Sequence, residues 1–356
     1  MWRACGGRVP GKRFLERPEA RERSDAITKC YLARGRGYRR GVASRVGELF
    51  ARNGGVATTA ELTALGFSYA QIRRFVRDGL LVSKRRDVYA LGTQAAKMAD
   101  DPPRAHALDL AAVLVHLDGA CVGSHETAAI THGLDLLERP TQGTVTVTRP
   151  RPGNGSRASR RGLRVHAAEI PERDITRRYG VPVTSVARTV IDLSRARSFR
   201  EGVVVADSAL RSGKVTPAEL QAAIASCPRW PGLRKARKVV AFSDGRAESV
   251  LESLARVIMH ENRLPAPELQ IWIQDGYGAR IGRVDFFWPR YNTIGEADGA
   301  MKYEDSAAAR KQLERDKKLR LAGYELVHFG WRGIVYETRV VIGEFLAAFD
   351  RGRPDH

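Results

Sequence analysis

The sequence predicts an α+β multidomain chain: three short helices and a β-hairpin in front, a mixed α/β middle, and a last segment in the order α-β-β-β-α-β. Three observations carry that reading. The length, 356 residues, exceeds one ordinary domain. The hydrophobic pattern switches several times between a helical period and strict alternation. The charge is also uneven: the chain carries +20 in all, yet residues 244–356 hold 17 basic and 18 acidic side chains, so the basic excess lies ahead of them.

Residues 1–41 carry 12 basic and 4 acidic side chains with no apolar period. They read as a disordered basic arm, or as the product of a translation start placed too early. Residues 42–95 form the first domain. Ser44–Asn53 reads as a helix broken at Gly54-Gly55, Thr59–Leu65 as a second helix stopped by Gly66, and Ser68 as the cap of a third, SYAQIRRFVRDG. On the third helix Tyr69, Ile72, Phe75 and Val76 share the inner face; Gln71, Arg73, Arg74 and Arg77 share the outer one. Strand-like runs on either side of Lys84-Arg85-Arg86 read as a hairpin. Three helices and a basic hairpin make a winged helix-turn-helix. Its third helix would present Gln71, Arg73, Arg74 and Arg77 to the major groove of duplex DNA, with Lys84, Arg85 and Arg86 on phosphates.

The middle, 104–243, reads as helices at 104–117, 124–132, 184–196, 199–212 and 216–226, the last opened by the capping box Thr216-Pro-Ala-Glu219. Strands at 144–148 and 163–168 flank a basic loop, 149–164. His125, His132 and His166 lack metal-ligand spacing and read as structural.

The last domain, 244–350, opens with the helix RAESVLESLARVIMHEN and continues with the strands LQIWIQ, RVDFFW and TIGEAD. A helix over SAAARKQLERDKKLRLAG, the strand ELVHFGW and a helix at about 334–349 complete it. If Pro289–Asn292 is a four-residue hairpin loop, Asp285 faces Glu296 with Cβ atoms about 5 Å apart. Like charges at about 5 Å repel by roughly 3 kcal/mol at an effective dielectric of about 20. A hard divalent cation such as Mg²⁺ reverses that sign, so Asp285 and Glu296 are candidate metal-binding acids. Asp298 shares the face of Glu296. Glu248, at the border of the helix's apolar face, is the candidate to join them. Glu252 stands four residues before Arg256 and reads as a solvated ion pair.

Composition excludes other classes. The four cysteines, none in a C-x-x-C pair, exclude a cysteine zinc cluster and a disulfide scaffold, and indicate a reducing compartment. The apolar runs are too short for a membrane span and the start lacks a signal-peptide core, so a cytoplasmic protein is expected. A pI near 10.3 favours a polyanionic partner, in first place nucleic acid.

Two family resemblances sharpen these expectations. Residues 246–332, through the helix with Glu248, R-V-D285-F-F, G-E296-A-D298-G and E-R-D316-K-K-L-R-L-A-G-Y, resemble the very-short-patch-repair-like endonucleases of the PD-(D/E)XK superfamily. That resemblance implies Mg²⁺-dependent phosphodiester hydrolysis, with Asp285 and Glu296 on the metal and Glu248 and Asp298 assisting. The superfamily's lysine is absent: Asp298 occupies its position, and Lys302 or Lys317 would have to supply the charge. Residues 44–225, through the winged helix, GSHETAAITHGL, VTVTRP, VPVTSVARTVIDLS and VVVADSALRSG, resemble the AbiEi-type antitoxins of type IV toxin–antitoxin systems. That implies a DNA-binding autorepressor that counters a nucleotidyltransferase toxin. The chain itself has no nucleotidyltransferase signature, so the toxin would be separate.

Overall fold

The computed structural model describes residues 41–117, 121–150, 162–275, 277–299 and 306–353. The basic arm up to residue 40, the central part of the basic loop and Lys302 lie outside the described residues. The chain divides into two compact units: Met1–Cys121 with Arg177–Val181, and Val122–Thr176 with Pro182–His356.

The first unit opens with α1 (Gly41–Arg52), which ends where Gly54 and Gly55 take positive φ and the Gly55 N–H reaches back to the Phe50 carbonyl at 2.6 Å. A short strand β1 (Val56–Thr58) follows, which three residues are too few to signal by alternation. Capping boxes then start two helices: Thr58 with Glu61 opens α2 (Thr59–Ala64), and Ser68 with Gln71 opens α3 (Tyr69–Arg77). The hairpin β2 (Leu81–Arg85) and β3 (Val88–Leu91) turns at Arg86-Asp87, with Asp87 at φ 59°, and β1 joins it to give the order β1-β3-β2. Helices α4 (Gly92–Lys97) and α5 (Pro102–Leu114) complete the unit; α5 is capped by Asp101 and starts on Pro102-Pro103. Val46, Leu49, Phe50, Leu62, Ile72, Phe75 and Leu81 make its core. Tyr69, expected on the inner face, is 66% exposed. It is the first residue of α3, and a helical side chain leans toward the N-terminus, so Tyr69 projects past the end of the core.

A five-stranded sheet, most of it in the second unit, is built from β4 (Val122–Gly123), β5 (Val145–Arg149), β6 (Leu163–Ala167), β7 (Ile175–Arg178) and β8 (Val181–Thr184), in the order β6-β5-β4-β8-β7. Helix α6 (His125–His132) follows β4, and α7 (Val186–Ala196), α8 (Phe199–Arg211), α9 (Pro217–Ala225) and α10 (Leu233–Phe242) follow β8. Helix α10 was not expected: no side chain caps it, because its N-cap is Gly232 at φ 81°. Their core gathers Val190, Ile191, Val203, Val205, Leu220 and Val239.

Then come α11 (Val250–Glu261), β9 (Glu268–Gln274), β10 (Arg280–Trp288), β11 (Thr293–Asp298), α12 (Ser306–Leu321) and β12 (Glu325–Gly330). This is the expected α-β-β-β-α-β order. The sheet runs β12-β11-β10-β9, antiparallel except for β11 and β12, which are parallel and joined through α12. The single terminal helix expected at 334–349 is two, α13 (Trp331–Tyr336) and α14 (Thr338–Arg351), of which α14 lays Val341, Ile342, Phe345 and Phe349 into a core with Phe286, Trp288 and Phe329.

Candidate functional site

The structure builds two sites from the residues the sequence singles out, one in each unit. In the first, α3 divides cleanly. Ile72 and Phe75 are buried in the core, which fixes the opposite face outward; Arg73, Arg74 and Arg77 stand exposed on it. Arg74 lies 3.5 Å from Asp78 across one turn, a weak exposed pair. Two expected contact residues have other work. Gln71 is the third residue of the capping box, its Oε1 accepting the Ser68 N–H at 2.7 Å. Lys84 is not free on the wing: its ammonium sits 2.5 Å from Asp109 of α5, both side chains mostly buried. Lys84 sits in a β-bulge between Ser83 and Arg85, where the strict alternation of β2 is broken. Arg86, at the tip of the hairpin, is almost fully exposed; Arg85 is half-buried beside it.

In the second unit the hairpin register pairs Trp288 with Thr293, Phe287 with Ile294 and Phe286 with Gly295, so the next positions outward are Asp285 and Glu296. They come together, but their surroundings differ from the metal-site expectation. Asp285 is half-buried and accepts the Ala297 N–H on Oδ2 (2.9 Å) and Gln270 Nε2 on Oδ1 (3.2 Å). Glu296 is buried, and Arg315 of α12 places Nη2 2.9 Å from its Oε1. Burial pushes the Glu296 carboxyl up to about 7; Arg315 opposes that rise and Asp285 adds to it.

Glu248 and Glu252 exchange the roles expected of them. Glu248 is exposed and paired with Arg283 at 2.7 Å. Glu252 is buried at the start of α11 and accepts the Glu248 N–H (2.7 Å), Ser249 Oγ (2.8 Å) and Gln270 Nε2 (2.9 Å). Burial raises its pKa, those hydrogen bonds oppose the rise, and Asp285 adds to it. The reason is capping: Ser249 is the N-cap, which makes Glu252 the reciprocal residue of the first turn instead of a mid-helix surface position. Its expected partner Arg256 turns inward to Asp207 at 2.8 Å. The Gln270 amide that links Glu252 to Asp285 comes from a residue at φ 58°, an uncommon conformation inside a strand.

Asp298 accepts from Gln312 Nε2 (3.3 Å) and lies 3.2 Å from His328 Nδ1; His328 Nε2 lies 2.9 Å from Asp316, a buried acid of α12. The Asp298 contact raises the His328 pKa against the effect of burial, and Asp316 adds to the rise. Sequence reasoning missed His328 and Arg315 as members of this cluster, although Arg315 stands in the E-R-D run already singled out. Gly282 lies across from Arg315, and a Cβ on it would come within 2.8 Å of the arginine's Cδ, a proximity that no local pattern in the sequence signals. Lys317 is exposed. Among the described residues no group of three His, Cys, Asp or Glu side chains is arranged to hold a metal. The donor set does not fit Mg²⁺: a divalent cation at Glu296 would stand against the Arg315 guanidinium, which already supplies the positive charge.

A family model described as a transcriptional regulator, AbiEi antitoxin, matches residues 44–92, and one for the AbiEi antitoxin C-terminal domain matches residues 119–240. Residues 44–92 and 119–240 of the chain belong to the AbiEi antitoxin family. It is 34% identical over 218 residues to the uncharacterized proteins MT2308 and Rv2248 of two Mycobacterium tuberculosis strains, CDC 1551 / Oshkosh and ATCC 25618 / H37Rv. The match covers 61% of this chain and 77% of each relative. Among solved structures, the RV2827C protein of Mycobacterium tuberculosis is similar at 18% identity over 60% of this chain and 81% of that one, with a TM-score of 0.34. No helix among the described residues is long and apolar enough to cross a membrane.

Proposed function

We propose that the protein is a DNA-binding transcriptional regulator of a toxin–antitoxin system, acting as the antitoxin and docking on duplex DNA through α3 and the wing. The observation that carries this reading is the division of α3: a core-locked inner face holds Arg73, Arg74 and Arg77 outward on a helix of the winged-helix arrangement. Arginine forks suit both guanine edges and phosphates. The two AbiEi matches support the regulatory role. The toxin is a separate chain, a nucleotidyltransferase by analogy with the family resemblance. The test is anisotropy of full-length protein on labelled duplex from its own promoter region. Arg73→Ala with Arg74→Ala weakens binding by about tenfold or more and lowers the slope of log affinity against log salt by about two. Unchanged affinity and slope remove the assignment.

A second reading, a Mg²⁺-dependent endonuclease of the PD-(D/E)XK kind, has one observation in its favour. The α-β-β-β-α-β order brings Asp285 and Glu296 to adjacent strands, with Asp298 next on the same face. Against it stand the arginine where a metal and a lysine would be needed and the engagement of Glu248 with Arg283. We therefore read the C-terminal core as a scaffold of the regulator. An assay on plasmid with Mg²⁺ or Mn²⁺ against EDTA checks this: the expected outcome is no cleavage and a melting temperature unmoved by millimolar Mg²⁺. Metal-dependent cleavage lost in Asp285→Asn would restore the nuclease reading.

A further inference from the structure

Away from both sites, the second unit carries a concavity of about 1000 Å³ between α10 and the C-terminal end of α11, lined by Phe199, Lys238, His260, Glu261, Arg234 and Arg263 among others. Its floor is apolar and its rim is basic. The aromatic part is a built row: Phe199 and Phe242 stand 5.5 Å apart by ring centroid, and Phe242 and His260 4.9 Å. Behind the row, Arg256 lies 4.4 Å over the Phe242 ring, donates to the Phe242 carbonyl at 2.8 Å, and is anchored by the buried Asp207. The rings are therefore held in place from within while Phe199 and His260 reach the groove. The one carboxylate of the lining, Glu261, is matched by Arg200 at 2.5 Å. Lys235 donates to the Arg197 carbonyl. Arg234, Lys238 and Arg263 have no carboxylate partner among the described residues, and Arg263 is held at the rim by a left-handed turn, φ 63°. Gly232, whose added Cβ would meet the Arg195 carbonyl oxygen at 2.7 Å, lets the chain turn into α10 beside the groove.

Uncompensated cations around a half-buried phenylalanine and an exposed histidine match one ligand chemistry closely: an unpaired nucleotide, whose base offers a π-face and whose phosphates are anionic. A paired duplex hides its base faces in the stack and would use the cations alone. We propose that this groove binds single-stranded nucleic acid, with a base against Phe199 and His260 and the flanking phosphates on Arg234, Lys238 and Arg263. The open shape suits a strand passing through over a closed mononucleotide pocket. The proposal is independent of the winged-helix reading, because it uses none of the residues of α3 or the wing.

The test uses full-length protein and labelled oligo(U) and oligo(dT) of about ten nucleotides, within the length one such groove covers. Lys238→Glu with Arg263→Glu lowers affinity for the single strand by at least about tenfold. Phe199→Leu, and separately His260→Leu, each lower it about fivefold, in keeping with the loss of one stacking contact. The two leucine variants leave affinity for promoter duplex within about twofold of the parent. Arg73→Ala with Arg74→Ala does the reverse, weakening duplex and sparing the single strand, so failure of either site is seen separately. A preference between oligo(U) and oligo(dT) assigns RNA or DNA as the strand. The proposal is overturned if both leucine variants bind the single strand like the parent, if the Arg73 and Arg74 variant loses single-strand binding, or if a polyglutamate peptide displaces the oligonucleotide equally well at equal charge. That last result would assign the groove to an acidic protein segment.

Discussion

Helix α3 and the β10–β11 hairpin use the same two residue types in opposite ways. On α3 the arginines stand outward on a helix whose other face is locked, and among the described residues only Arg74 has a carboxylate within reach, weakly, across one turn. At the hairpin Glu296 is buried and meets Arg315 of α12, while half-buried Asp285 is held by Gln270 and the Ala297 N–H. Charge left unpaired in water keeps its full value for a polyanion and contributes nothing to folding. Charge carried into the interior must find a partner or lose its proton balance. On the proposed reading α3 serves a ligand and the hairpin cluster the fold, so substitutions should separate them by what they change, affinity or stability.

The largest expected effect breaks the inward side. Arg315→Ala leaves Glu296 buried with Asp285 beside it and no cation. Protonation of Glu296 caps the cost, because its carboxyl already sits near 7, so at pH 9, about two units higher, chemical denaturation should show the variant destabilised by about 3 kcal/mol. The loss shrinks below pH 6, where Glu296 is protonated, and Arg315→Ala with Glu296→Gln recovers much of it. A variant as stable as the parent at pH 9 would mean that the arginine is a surface residue like those of α3.

The second effect is a pH dependence. The folded protein holds Glu296 near 7, above its ordinary value of 4.5. A carboxyl raised on folding binds its proton more tightly in the native state, so stability is greatest below about 4.5 and is lost as pH rises toward 7. The shift corresponds to about 3 kcal/mol over that window. The His328 pKa is also raised, which adds a loss in the same direction as pH climbs through its folded value. Glu296→Gln should therefore flatten the fall in stability between pH 5 and pH 8 by about 2–3 kcal/mol, leaving the His328 and Glu252 contributions. An unchanged pH profile would show that Glu296 stays ionised throughout.

The difference between the two regions also explains what the sequence could tell. The winged helix was legible because its signals are local: glycines at breaks, Ser68 three residues before Gln71, and a 3.6-residue period on α3. The acid pair was legible because a four-residue loop fixes hairpin register. What joins the acids was not. Arg315 and His328 lie 19 and 32 residues beyond Glu296 in the chain, and only the crossover through α12 to a parallel β12 brings them back. Glu248 and Glu252 exchange roles because α11 starts at Val250 behind the cap Ser249, four residues after the Arg246 start expected from the sequence. Lys84 was misread for the same reason as Arg315: its partner Asp109 comes from a helix that the local pattern does not connect to the wing.

The smallest expected effect sharpens the comparison within the wing itself, where an inward and an outward cation stand two residues apart. Lys84 is 2.5 Å from Asp109 and mostly buried with it, whereas Arg86 is almost fully exposed at the hairpin tip. If docking charge and folding charge are distinct, the two must respond differently to the same change. Arg86→Ala should leave the melting temperature unchanged and lower the salt slope of duplex binding by about one, the mark of one lost phosphate contact. Lys84→Ala should leave the salt slope unchanged and lower stability by about 1 kcal/mol, because Asp109 loses its partner in a half-buried setting. Lys84→Ala with Asp109→Asn should then recover most of that loss, which a phosphate-contacting lysine would not do. Salt titrations of both variants, run beside denaturation curves, decide it: a lowered slope for Lys84→Ala would return that lysine to the DNA face and erase the distinction between the two kinds of charge on the hairpin.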